Sequence, residues 1–264
     1  MVINSGFNFT NRLSRYIIKD GYITPAVIPG TIVIKSEAKK IFNNCLGSQA
    51  DLKDLIFMDF ISIDTNDESK ILSFVNKYGL LQIGYNGSPH SYVEKEPVSD
   101  YIFEIELMRT VVNLKQAMDE LNYNNLKEYL KNLYEYIPEN EFEDTYPYLK
   151  DFGGKIGIEA LALCSGSAIS LYINKRMKFI DPVMIYINDF SGHWDVPSLI
   201  SAMSFELFLS FSQNAKFKKC QRASCDRYFK ITRTDERKIY CTNECAKLEW
   251  QRKNRLKNKK EREV

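Results

Sequence analysis

Four of the chain's six cysteines lie in one short stretch, CQRASCDRYFKITRTDERKIYCTNEC, residues 220–245. Four residues separate Cys220 from Cys225, three separate Cys241 from Cys245, and 15 lie between the two pairs. A short pair can deliver two sulfurs from one turn of backbone. Two such pairs complete the tetrahedron that Zn²⁺ prefers, with Zn–S distances of about 2.3 Å. Cys220, Cys225, Cys241 and Cys245 are therefore the candidate ligands of one Zn²⁺. With four thiolates no coordination position is left for water, so such a metal would be structural rather than catalytic. The alternatives are four reduced, buried thiols or a disulfide pair. In a reducing compartment metal comes before disulfide.

The segment between the pairs must leave and return. RYFKI, 227–231, and KIY, 238–240, alternate well enough for two short strands, with the polar TRTDER, 232–237, as the turn between them. A helix is expected from Thr242, its first turn carrying Cys245, where N-terminal N–H groups favour thiolate. A knuckle, a hairpin and a helix that bears the last ligand make a treble-clef arrangement.

The pattern C-x4-C followed by Tyr228 and Phe229, then Tyr240-Cys241, Cys245 and a run of Arg and Lys, resembles the CGNR-type zinc-finger proteins of bacteria. In these an ABATE-like helical region precedes the finger. ILSFVNKYGLL, 71–81, and the helix leading into Cys220 are similar to segments of such proteins. The resemblance implies transcription regulation and a finger that binds DNA. After Cys245 this chain has Ala246-Lys247-Leu248 where the family has Gly-Asn-Arg.

Charge divides the chain. Residues 216–264 hold 17 Lys and Arg against 7 Asp and Glu, a balance of +10; residues 1–215 hold 19 against 27, or −8. An acidic body and a basic end suggest an anionic partner for the latter. On a helix, Lys247, Arg252, Lys253, Arg255, Lys257, Lys259 and Lys260 spread round the whole circumference, and the first five are the candidate phosphate contacts. That supports phosphate attraction without obvious base readout. Tyr228, Tyr240 and Trp250 can stack on bases or pack the small zinc core, and a frayed, solvated end is the plain alternative.

Other chemistry is thin. His193, in NDFSGHWD, has Asp195 and Asp189 nearby but no nucleophile, and reads as a loop histidine with a structural hydrogen bond. His90 lies in a polar loop. Cys164 reads as an inert core thiol. No GxxxxGK[ST] occurs, and the Gly turns do not follow strands and open helices. Glu104/Glu106 and Glu139/Glu141 read as solvated acids. No enzyme is expected.

The positioning elements are mostly helical. SEAKKIFNNCLG, 36–47, reads as a short helix and TIVIK, 31–35, as a strand. The apolar run 55–63 fits strand or helix. A helix over 67–81 shows its stripe in Ile71, Phe74, Val75 and Tyr78, and 84–99 is a loop. Phe103, Leu107, Val111, Leu114 and Met118 predict a long helix over 100–121, and Leu126, Leu130 and Leu133 another over 123–136. Residues 138–154, with two prolines and a Gly pair, are a candidate hinge. IGIEALALCSGSAISLYI, 156–173, is long and apolar, but Glu159 and its small residues favour a buried core helix over a membrane span. A strand over 179–189 and a helix over 196–215 complete the body.

At 264 residues, with 44% hydrophobic content, 16 Tyr, 16 Phe and a net charge of +2, the chain can bury a core without staples. The polar start carries no targeting signal, so a cytoplasmic protein without membrane contact is expected. The fold class expected is α+β: a mostly helical body with a few short strands, 1–215, plus a small C-terminal zinc ribbon or treble-clef module, 216–264. The function expected is a DNA-binding regulator that acts through its basic finger, the body taking a ligand or a protein partner. The alternative is a zinc-stabilised protein-interaction module that binds no nucleic acid.

Overall fold

The computed structural model describes residues 6–8, 15–26, 55–84, 93–136, 157–186, 190–231 and 237–262. In chain order these form β1 (Gly6–Asn8), β2 (Tyr16–Lys19), β3 (Tyr22–Pro25), α1 (Ile56–Ile61), α2 (Glu68–Tyr78), β4 (Glu96–Pro97), α3 (Val98–Asp119), α4 (Tyr123–Tyr136), α5 (Ile158–Arg176), β5 (Asp181–Tyr186), β6 (Phe190–Asp195), α6 (Leu199–Ser212), β7 (Lys216–Lys219), β8 (Tyr228–Ile231) and α7 (Asn243–Arg262). The class is the expected one, helices with a few short strands and a C-terminal cysteine cluster. The strand over 31–35, the helix over 36–47 and the hinge over 138–154 fall outside the described residues.

Local chemistry sets the helix ends. Asp67 accepts the Ser69 N–H at 3.1 Å and caps α2. Gly79 ends α2 at φ +89°, where an L side chain would be strained. Between these ends Ile71, Phe74, Val75 and Tyr78 are all buried, as their spacing predicts. The ambiguous run at 55–63 is the helix α1. Its N-cap Leu55 offers no side-chain acceptor. The Glu206 carboxylate of α6 serves instead, accepting the Phe57 N–H at 3.0 Å.

Helix α3 is the central element and meets α1, α2, α4, α5 and β7. Because neighbours surround it, its buried face is wider than the expected stripe and includes Tyr101, Ile105, Met108 and Val112. Phe103, expected on that stripe, is 41% exposed at its edge. Phe208 of α6 is likewise exposed, stacked on Phe205. Helix α5 is buried along one face only. On that face the small residues Ser165 and Ala168 are fully buried, as expected of a helix packed by small side chains, whereas Ala162, Gly166 and Ser170 line an open groove beside Leu163. No helix among the described residues is long and apolar enough to cross a membrane.

Three small sheets complete the fold. β5 and β6 form a hairpin onto which β1 adds in parallel, Gly6 opposite His193. β2 and β3 pair antiparallel around Asp20 and Gly21, both at positive φ, and β4 extends them. β7 and β8 pair antiparallel, Lys219 opposite Tyr228. This last hairpin is seated on the body. Phe217 meets Phe57 edge-on at 5.4 Å. The Tyr228 N–H donates to Ser62 Oγ at 3.1 Å, and the Tyr228 hydroxyl to Asn113 Oδ1 at 3.2 Å.

Candidate metal centre

The first cysteine pair sits in the knuckle that joins β7 to β8. The Cys220 N–H donates to the Arg227 carbonyl and the Cys225 N–H to the Arg222 carbonyl, each at 2.9 Å. These bonds close the four-residue spacer into a tight loop with both thiols on one side. The expected strand pair, 227–231 with 238–240, does not form. β8 pairs with β7 instead, because the knuckle itself is the turn that sets two strands antiparallel. The returning segment at 237–240 is irregular and joins through one bond, Gln221 N–H to the Ile239 carbonyl at 2.9 Å.

The second pair straddles the start of α7. Thr242 precedes the helix, and its hydroxyl accepts the Cys245 N–H at 3.1 Å, an N-cap that fixes the fourth ligand in the first turn. The Cys241 N–H points at Cys220 Sγ, 3.4 Å away. All four Sγ atoms lie within 4.8 Å of one another. Cys225 and Cys241 are 3.8 Å apart, Cys225 and Cys245 3.8 Å, and Cys241 and Cys245 3.5 Å. A disulfide would need about 2.05 Å. A tetrahedron with about 2.3 Å arms has edges of about 3.8 Å, so the cluster fits one tetrahedral metal ion. Cys220, Cys225 and Cys245 are buried and Cys241 is half-buried, which leaves little room for a further ligand.

Charge around the sulfurs is arranged for thiolates. Arg222 Nη1 reaches Cys245 Sγ at 3.6 Å. Hydrogen bonds to Cys245 and Cys225 push the already high pKa values of Arg222 and Arg227 further up. Burial opposes ionisation of Cys245, but hydrogen bonds from Thr242 and Arg222 and from the neighbouring thiols bring its pKa down. Burial pushes Cys241 up, and the thiols around it add to that. Four sulfurs this close cannot all ionise without a cation among them, and a bound metal would take all four as thiolates.

One acid braces the centre. Glu249, 3% exposed on α7, pairs with Arg252 at 2.5–3.1 Å. Arg252 first, then the Ala223 N–H in the knuckle, hold its carboxyl below the usual range. α7 is thereby tied to the ligand loop one turn beyond Cys245. Sequence reasoning missed Glu249, Arg222 and Arg227. The visible signal was the i, i+3 spacing of Glu249 and Arg252 on a mostly basic helix.

The expected phosphate contacts Lys247, Arg252, Lys253, Arg255 and Lys257 all stand exposed on α7, Arg252 with its guanidinium on Glu249. Tyr228 is buried in the body contact, Tyr240 half-buried against the core, and Trp250 exposed. The remaining candidates separate. His193 stands on strand β6 rather than in a loop, while His90 lies outside the described residues. Cys164 is half-buried on α5 rather than in the core, its thiol pushed up by burial. Glu104 is not solvated: it is 4% exposed and grips Arg176 bidentately at 2.7–3.1 Å. Arg176 comes from α5, so the sequence spacing around Glu104 gives no hint of the pair. Glu106 bonds Arg109 and Thr65, and Glu139/Glu141 lie outside the described residues. No family model, no curated protein and no solved structure matches the chain.

Proposed function

We propose that Cys220, Cys225, Cys241 and Cys245 hold one structural Zn²⁺, and that the module so formed presents α7 to nucleic acid as the DNA-binding element of a regulator. The sulfur cluster carries the metal reading: its separations match the edges of a zinc–thiolate tetrahedron. Tetrathiolate zinc carries a net charge of −2, which Arg222 and Arg227 offset locally. The balance of +10 across residues 216–264 supports an anionic partner, as does the pattern around the cysteines that resembles CGNR-type fingers. No catalytic role is assigned to the metal, and none to His193.

Metal analysis should find about one Zn per chain, lost in Cys241→Ser; well-folded, metal-free protein would sink the metal reading. Titration into duplex DNA at two salt concentrations addresses the partner. If Lys247, Lys253, Arg255 and Lys257 each neutralise one phosphate, log K falls against log[salt] with a slope of about −3.6. A version ending at Cys245 should lose this binding. No binding by either form at low salt would turn the reading to a protein-interaction module.

A further inference from the structure

Helix α7 has sides that its composition conceals. Of its described side chains, through Asn258, only Cys245 and Glu249 are buried, with Arg252 held on Glu249. These three follow one another at i, i+4 and i+7 and form the seam that faces the knuckle. Helical geometry advances about 100° per residue, which puts Cys245, Glu249 and Arg252 about 140°, 100° and 160° from Trp250. Trp250 therefore points away from the module. It is 64% exposed, more than any other aromatic among the described residues.

Lys247, Lys253 and Lys257 lie within about 60° of Trp250 round the helix axis, and all three are exposed. They spread over about 15 Å of helix. The outward face is thus one indole set among three ammonium groups. Arg255 lies about 140° from Trp250 and belongs to another side. The first turn is fixed by Cys245 and the Thr242 cap, and the next by Glu249, so the face holds its direction relative to the zinc module.

A single apolar side chain in solvent is ordinary; it is the three lysines set round this indole that make the face a site for an anionic ligand. A membrane surface would need further apolar groups beside it. The neighbours one turn away are Ala246, Lys247, Lys253 and Asn254, while Leu248 and Leu256 stand about 160° and 120° off. A paired duplex hides the faces of its bases, and an indole at the centre of the approaching face offers one N–H to a groove. An unpaired base presents its π-face, and the flanking lysines fall beside its phosphates.

We propose that α7 binds single-stranded nucleic acid, with Trp250 stacked on an unpaired base and Lys247, Lys253 and Lys257 on the adjoining phosphates. This rests on the nucleic-acid reading above and sharpens its substrate from duplex to single strand.

The test uses the zinc-loaded full chain in a Trp194→Phe background, which leaves Trp250 as the only indole. A short oligothymidylate, the matching homopolymer duplex and phosphatidylserine vesicles are titrated in turn. The single strand should bind tightest and quench Trp250 emission, with a salt slope of about −2.1 for three phosphates. Trp250→Ala should weaken binding roughly 5- to 150-fold with the far-UV spectrum unchanged, and Trp250→Phe should retain most of it. Lys247→Gln with Lys253→Gln should reduce the slope by about 1.4. Duplex binding at least as tight, with Trp250 emission unchanged and Trp250→Ala neutral, overturns the single-strand proposal and leaves the nucleic-acid reading standing. Vesicle binding with a blue shift and no response to either nucleic acid overturns both.

Discussion

Glu206 is sealed inside the molecule, and its two carboxyl oxygens fare differently. One takes the Phe57 N–H at the start of α1; the other has no hydrogen-bond partner. Burial pushes its pKa up to about 8, against the pull of the Phe57 and Ile56 N–H groups and with a smaller push from Asp59. At neutral pH the acid is therefore mostly protonated, which suits an oxygen without a donor. The sign for stability follows. Between the ordinary value of 4.5 and about 8 the folded state binds a proton that the unfolded state releases. Stability therefore falls as pH rises through that window, by as much as about 5 kcal/mol at its upper end. Glu206→Gln keeps the oxygen for Phe57 and cannot titrate. Urea melts of the zinc-loaded protein from pH 5 to 8 should show a decline in the parent that Glu206→Gln flattens. Parallel curves for the two proteins would mean that Glu206 is ionised in the fold.

At the scale of elements, the hairpin β7–β8 belongs as much to the body as to the cysteines. Phe217 is buried between Phe57 of α1 and Phe211 of α6, and Tyr228 reaches both Ser62 and Asn113. Phe217→Ala should cost about 3–5 kcal/mol in denaturant melts and Tyr228→Phe about 1 kcal/mol. A cost for Phe217→Ala no larger than that of an exposed phenylalanine would detach the hairpin from the body. Phe57, Ser62 and Asn113 could not be read ahead, because each lies more than 100 residues in sequence from the hairpin residue it meets. What was legible was periodic: the stripes of α2 and α4, most of that of α3, the strand β5 and the cysteine spacing. The turn Asp20–Gly21 was legible too and went unread, since Asp-Gly between alternating apolar residues is a strong hairpin signal. KIY at 238–240 shows the converse failure. Three alternating residues resemble a strand, but the edge they would need is already taken by β7. Glu104 and Glu206 look like surface acids in sequence, because a long-range partner is what buries them.

For the whole molecule, the question is whether metal and core stabilise one unit or two. A structural zinc–thiolate site contributes on the order of 10 kcal/mol or more to its module, comparable with the 5–15 kcal/mol of net stability of a typical domain. Cys220, Cys225 and Cys245 lie in the same contiguous cluster of buried side chains as Phe57, Met108 and Phe217. Losing the metal would loosen the knuckle, then the β7–β8 pairing that seats Phe217, and so expose the faces of α1 and α3 beneath it. A separate finger would melt alone and leave the body's transition where it was. Calorimetry of the full chain with and without a strong chelator separates the two. The packing predicts a single transition that moves down as one when zinc is removed, with Cys241→Ser behaving like the chelated parent. Two transitions, the larger unmoved by chelator, would make residues 216–264 an independent domain. The body would then be free to serve a ligand or partner of its own without any linkage to zinc.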